Sequence, residues 1–175
     1  DEEVQLMPTT PCTEDYGDAL ATGRLLIMHY ETEAGPSYLT TIYGWTGGVH
    51  GSTAAGRTKD LLKIALNELA LHPEGTKLLC GDINGDARNF PAIHAVLEEG
   101  SFIDLGANQR LTQRTEPEYT CQAKLGGSET RRDYIFVNPA GLDAIQQVEV
   151  HTIAGIPTHR AVDAVANFAP GGPET

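Results

Sequence analysis

The chain has little cysteine. Cys12, Cys80 and Cys121 are odd in number and widely spaced, and no Cys-x-x-Cys occurs, so a zinc or redox motif is not supported. Cys80 sits in an apolar run and reads as a core thiol. Free thiols fit an intracellular compartment. Bases are also scarce: 12 Lys and Arg stand against 24 Asp and Glu, a net charge of −12. That balance argues against a surface that coats nucleic acid generally. No apolar run approaches the length of a membrane span. There are no internal repeats and no internal linker. No secretory signal is visible, but residue 1 is Asp, so the expectation is a processed, trimmed or partial chain.

What is present is ordinary for a soluble globular protein: 40% apolar and 21% charged residues, over a length sufficient for one domain with a real core. The charge is uneven. Residues 1–35 carry eight acids and only Arg24 as a base, whereas residues 104–133 hold five of each sign, including Arg110, Arg114, Lys124, Arg131 and Arg132. A polyanion would bind near that second stretch.

Residues 1–23 are acidic and rich in Thr, Pro and Gly, and read as a poorly ordered lead-in. Arg24–Tyr30 and Tyr38–Trp45 read as strands joined in a hairpin. The Gly-rich stretch that follows, with His50, reads as a loop. From about Thr58 to Leu71, the apolar positions Leu61, Leu62, Ala65, Leu66 and Leu69 share one helical face, and His72-Pro73-Glu74-Gly75 stops the helix. A shorter helix is predicted over Pro91–Glu99, with Gly100 as terminator. Short strands follow at Phe102–Leu105, Tyr119–Gln122, Arg132–Val137, Gln146–Thr152 and Ala161–Phe168, with a Gly-Gly turn over Lys124–Thr130 and a flexible tail over 169–175. This order predicts an α+β architecture around a largely antiparallel sheet.

The chain is organised around Leu78-Leu79-Cys80-Gly81-Asp82-Ile83-Asn84-Gly85-Asp86. A buried strand runs into a polar turn. Alternation along a strand places Asp82 and Asn84 on one side, an acceptor-only carboxylate beside a carboxamide. Such a pair suits phosphate chemistry: the carboxylate takes a proton from water or helps hold a hard cation, and the amide donates to a phosphoryl oxygen. A calcium loop fails, because the Gly and Glu it needs at positions six and twelve are Ala87 and Ile93. A plain turn remains open for this motif alone, as do a capping role for Asp133, an exposed-loop role for His159 and a core role for Tyr43.

Three ordered motifs, Gly81-Asp82-Ile83-Asn84, Arg131-Arg132-Asp133-Tyr134-Ile135 and Pro157-Thr158-His159-Arg160-Ala161-Val162, with Tyr43 ending an earlier strand, resemble the C-terminal portion of the endonuclease/exonuclease/phosphatase superfamily. The resemblance covers residues 24–168. It implies a DNase I-like two-sheet sandwich flanked by helices, with the N-terminal half missing. It implies a metal-dependent phosphodiester hydrolase, foremost a nuclease, using Mg²⁺ or Mn²⁺ on a phosphodiester such as a nucleic acid. By resemblance Asp82 orients or deprotonates water and serves as a metal ligand, Asn84 holds a phosphoryl oxygen, and His159 meets the scissile phosphate. Asp133 orients His159, and Tyr43 bonds to phosphate or nucleophile. The chain departs from the family where an Asp precedes the last His, since Thr158 stands there, and where Pro gives way to Ala161. The family's N-terminal Asn and metal-binding Glu have no counterpart before Tyr43. The missing half would be this chain's partner. A phosphatase or non-nucleic-acid phosphodiesterase of the same fold, and a degenerate non-catalytic domain, are the alternatives.

Overall fold

The computed structural model describes residues 6–32, 35–46, 53–122, 127–152 and 158–167. The first elements are β1 (Met7–Pro8), α1 (Glu14–Ala21), β2 (Leu25–Thr32) and β3 (Gly35–Tyr43), followed by α2 (Thr53–Leu71) and β4 (Thr76–Asp82). Then come α3 (Pro91–Glu98), β5 (Ile103–Asp104), α4 (Gln109–Thr112), β6 (Cys121–Gln122), β7 (Glu129–Thr130) and β8 (Asp133–Val137). A short turn of helix, α5 (Pro139–Leu142), precedes β9 (Ile145–His151) and β10 (Ala161–Ala166). His50 and the 169–175 tail lie outside the described residues.

Six strands form one sheet in the order β1-β2-β3-β4-β8-β5, and β9 pairs with β10 in a second. All pairs are antiparallel except β3–β4, where α2 makes the crossover that a parallel pair requires. Strand alternation distributes the apolar residues between two cores. Along β8, Tyr134 and Phe136 pack with the core that includes Leu61, Leu62, Ala65 and Leu69 of α2, while Ile135 and Val137 face a second core with Val148 of β9 and Val162 of β10. The layers are helices, six-stranded sheet and small sheet, a DNase I-like arrangement.

The lead-in expected over 1–23 is corrected for its described part. β1 pairs with β2, and α1 starts at an N-cap, Thr13, whose side chain accepts from Tyr16 N–H. Tyr16 is fully buried, and its hydroxyl accepts from Ile27 N–H at 2.8 Å. A spacing of Tyr16, Ala19 and Leu20 gives α1 an apolar face, so the acids sit on the solvent side of an amphipathic helix. The α2 helix begins five residues before the expected Thr58, at Thr53, through Ala54 and Ala55, good helix formers.

Candidate functional site

The sheet brings three predicted residues into one row. Tyr43 is in register with Asp82 across the β3–β4 pair, and Asp82 faces Asp133 across β4–β8. Ile83 N–H still bonds to Arg132 O at 2.9 Å, and β4 ends at Asp82 because the chain turns at Asn84, whose φ is 55°. Asn is among the residues that tolerate this left-handed conformation.

Asn84 therefore does not meet Asp82 by strand alternation. Its backbone N–H donates to Asp82 Oδ1 at 2.8 Å, and its amide donates to Asp82 Oδ2 at 3.2 Å and to Gly44 O at 3.0 Å. Both amide hydrogens are engaged and the residue is buried. In this structure the amide expected to meet a phosphoryl oxygen braces the Asp82 carboxylate. Arg132 Nη1 reaches Asn84 Oδ1 at 3.4 Å.

His159 lies between the two carboxylates. Its Nδ1 is 2.9 Å from Asp133 Oδ2. A carboxylate only accepts, so Nδ1 carries the proton and, in the neutral ring, Nε2 is left as an acceptor. Nε2 stands 3.9 Å from Asp82 Oδ2, wider than a hydrogen bond, and 3.7 Å from Cys121 Sγ. The side chains of Asp82, Asp133 and His159 are 14%, 21% and 31% exposed, so the cluster is sheltered yet open to one side. Burial is the main cause that raises the Asp82 pKa, with the Asp133 charge adding to it; the Asn84 N–H, His159 and Arg132 oppose the shift.

Thr120 and Cys121 were not found from the sequence. Thr120 Oγ1 accepts from the N–H groups of Arg132 and Asp133, each at 3.0 Å, while Thr120 O accepts from Arg160 N–H at 2.7 Å. Thr158 O accepts from Gln122 N–H at 2.8 Å, and Cys121 bridges His159 in the backbone. One short segment thus holds Asp133 and His159 together. Only its β-like composition is visible in sequence; the pairing is not.

Tyr43 is half exposed at the same rim, with the Arg24 guanidinium 4.8 Å above its ring and 4.6 Å from Trp45. Arg131 pairs with Asp104 through both guanidinium nitrogens at 2.5 and 2.6 Å and covers the Tyr134 ring at 4.3 Å, so this motif Arg is structural. A groove of about 960 Å³ opens beside Asn84 and is lined by Arg88, Tyr119, Arg131 and Arg132 among others.

Asp82 and Asp133, with His159, offer ligand atoms within 4.8 Å of one another. Mg²⁺ takes one or two carboxylates and otherwise water and substrate oxygens. Two carboxylates in direct cross-strand register fit such a cation.

The fold is DNase I-like: helices on one face of a six-stranded sheet and a small antiparallel sheet on the other. No protein-family model matches the sequence, and no curated protein matches it. Solved structures do. The endonuclease domain of TRAS1, a telomere-specific non-LTR retrotransposon, superposes with a TM-score of 0.61 at 16% identity over 95% of this chain and 70% of its own. The 3′-5′ exonuclease NExo from Neisseria meningitidis gives 0.57 at 18% identity over 82% and 64%. An endonuclease/exonuclease/phosphatase family protein from Leptotrichia buccalis gives 0.56 at 16% identity over 82% and 54%. This chain therefore spans between about half and seven-tenths of these proteins' lengths.

Proposed function

We propose that this chain is part of a divalent-metal-dependent phosphodiester hydrolase acting on nucleic acid. The observation that carries the reading is the Asp82–His159–Asp133 cluster, with His159 Nδ1 bound to Asp133 and its Nε2 facing Asp82 across 3.9 Å. That gap suits a water or a phosphoryl oxygen bridging the two groups. Asp82, made more basic by burial, takes the proton of the attacking water. His159, oriented by Asp133 through Nδ1, donates from Nε2 to a phosphoryl or leaving oxygen when the ring is doubly protonated. Asn84 positions Asp82, and Tyr43 contributes a hydroxyl from the neighbouring strand. Asp82, with Asp133 beside it, would hold Mg²⁺ or Mn²⁺, which neutralises charge developing on the phosphoryl oxygens. The nucleic-acid preference is supported by the comparison proteins, an endonuclease and an exonuclease, and by Arg88, Arg132 and Tyr119 along the groove.

Thr158 supplies no charge where the family has Asp, and the comparison proteins extend beyond what this chain matches. We therefore propose that a Glu from an upstream segment completes the metal site, and that the 175-residue chain alone cleaves weakly. The test is cleavage of supercoiled plasmid and of a generic phosphodiester, by this chain and by one extended upstream. The extended protein is expected to show EDTA-sensitive cleavage that drops about a hundredfold or more in Asp82→Ala and in His159→Ala. Cleavage that survives both substitutions would refute the assignment. Strong EDTA-sensitive cleavage by the short chain would refute the need for an upstream ligand.

A further inference from the structure

A second group of metal-type ligands lies far from the cluster above. Asp82 ends β4, whereas His72 lies just before the start of that strand, so roughly 20 Å of strand separates the two places. Glu68, near the end of α2, is fully buried, and among the described residues it forms no ion pair. Its Oε1 accepts from Cys12 N–H at 2.6 Å and its Oε2 from Thr13 Oγ1 at 2.7 Å. These bonds fix the Cys12 backbone over the carboxylate. His72 follows Glu68 by four residues and lies just past the end of α2, its N–H bonded to Leu69 O at 3.3 Å. The His72 ring stacks on Tyr38 with centroids 4.8 Å apart and planes inclined by 20°, so packing sets its orientation. Its Nε2 is buried and has no hydrogen-bond partner. An orphaned buried nitrogen requires an explanation, and an ion is one of the few available.

The ligand atoms of Cys12, Glu68 and His72 all lie within 4.8 Å of one another. In a tetrahedral zinc site, with bonds of 2.0–2.3 Å, ligand atoms stand about 3.5 Å apart. Cys12 is exposed, so rotation about its own side chain can close the difference. Each Glu68 oxygen already accepts one hydrogen bond and retains a lone pair. A set of one sulfur, one nitrogen and one oxygen suits Zn²⁺ and does not suit Mg²⁺, which prefers oxygen. Lys77 Nζ, tethered to His72 O at 3.1 Å, works against a cation, and the buried Glu68 carboxylate works for one.

We propose that Cys12, Glu68 and His72 bind a Zn²⁺ ion, with a water completing the tetrahedron. The ion would clip the segment that carries β1 and α1 to the end of α2, across 56 residues of sequence. This proposal stands independently of the hydrolase reading.

The experiment uses the full 175-residue chain, stripped with chelator and titrated with Zn²⁺ against a chromophoric competitor, and separately with Co²⁺. One tight equivalent is expected, together with a thiolate-to-cobalt charge-transfer band and a rise in unfolding temperature on adding Zn²⁺. Cys12→Ser should remove the band, and His72→Ala should weaken Zn²⁺ by more than about a hundredfold, since even indirect partners of a ligand are worth 10–100-fold. The band should persist in Cys121→Ser and in an Asp82→Ala/His159→Ala double variant. Absence of any thiolate band in the wild-type chain would overturn the proposal. So would a band that survives Cys12→Ser and disappears in Cys121→Ser, because that result places the metal beside His159.

Discussion

Gly81 tests whether the β3–β4 register positions the site. Its φ is +141°, a conformation that only glycine adopts without strain. A Cβ there would fall well inside contact with the Ile42 carbonyl oxygen and 2.9 Å from the Ile42 carbonyl carbon. Both are backbone atoms of the paired strand, so no rotamer relieves the clash. Gly81→Ala must therefore open the ladder at Ile42↔Gly81, beside Tyr43↔Asp82. Forcing the dihedral costs about 1–3 kcal/mol. Loss of one or two ladder hydrogen bonds adds about 1 kcal/mol each. The expected loss is roughly 2–5 kcal/mol, a large part of the 5–15 kcal/mol typical of a domain. Gly100→Ala is the control, because its φ is +71° and a Cβ would meet nothing within 4 Å. It should cost only the dihedral penalty, about 1–2 kcal/mol. In urea, with a slope of about 1–3 kcal/mol/M, the Gly81→Ala midpoint should fall by more than about 1 M. If the two variants lose stability within about 0.5 kcal/mol of each other, the close strand approach at Gly81 is not what the sequence selects for.

Asp133→Asn should leave the fold intact but let the side chain donate to His159 Nδ1, moving the ring proton to Nε2. In the extended, active protein kcat is expected to fall by about a hundredfold or more, with KM little changed and the imidazole tautomer altered by NMR. Tyr16→Phe should strand the Ile27 N–H that now donates to the hydroxyl, costing about 1–3 kcal/mol in a denaturant titration. An unchanged midpoint would mean that α1 contributes nothing to β2.

The legible parts of this protein were those where a motif and a strand end coincide. Asp82, Asp133 and His159 were each recognisable from residues adjacent in sequence, and the sheet brings them to one rim. Asn84 was recognisable as a site residue but not in its geometry, because the rule that i and i+2 share a face stops where the strand stops, and β4 stops at Asp82. The helix α1 carried its signals openly: Thr13, then Glu14 and Asp15 in the first turn, then Tyr16, Ala19 and Leu20 on one side. The acidic composition of residues 1–23 masks them. Thr120 gave no local signal at all. Its role comes from a hydroxyl that meets two N–H groups of β8's entry, a contact made by tertiary pairing alone.

Asp82 should cost the protein stability, and the pH dependence should show it. Burial raises its pKa above 3.8, with Asp133 contributing. The folded state therefore binds the Asp82 proton more tightly than the unfolded chain does. Stability from this group is fully present below the unfolded value and falls as pH rises through the folded one. Asp86 has the opposite sign: its hydrogen bond with Arg88 lowers its pKa, so its contribution is present above the unfolded value and is lost on acidification. Comparing the wild type with Asp82→Asn cancels Asp86, which both share. The Asn side chain can still accept from Asn84 N–H, now 2.8 Å from Asp82 Oδ1, but its NH2 group loses the bond that Asn84 Nδ2 now donates to Oδ2 at 3.2 Å, a cost that does not change with pH. The unfolding free energy of wild type minus that of Asp82→Asn should decrease as pH rises just above 3.8 and then level off. The slope with pH carries the test, because the constant cost of the lost Asn84 bond cancels in it. Added Mg²⁺ should narrow the difference by binding only the carboxylate form. A difference that increases with pH would mean that Asp82 is a stabilised anion at rest, and the proposal that it is held as a poised base would fail.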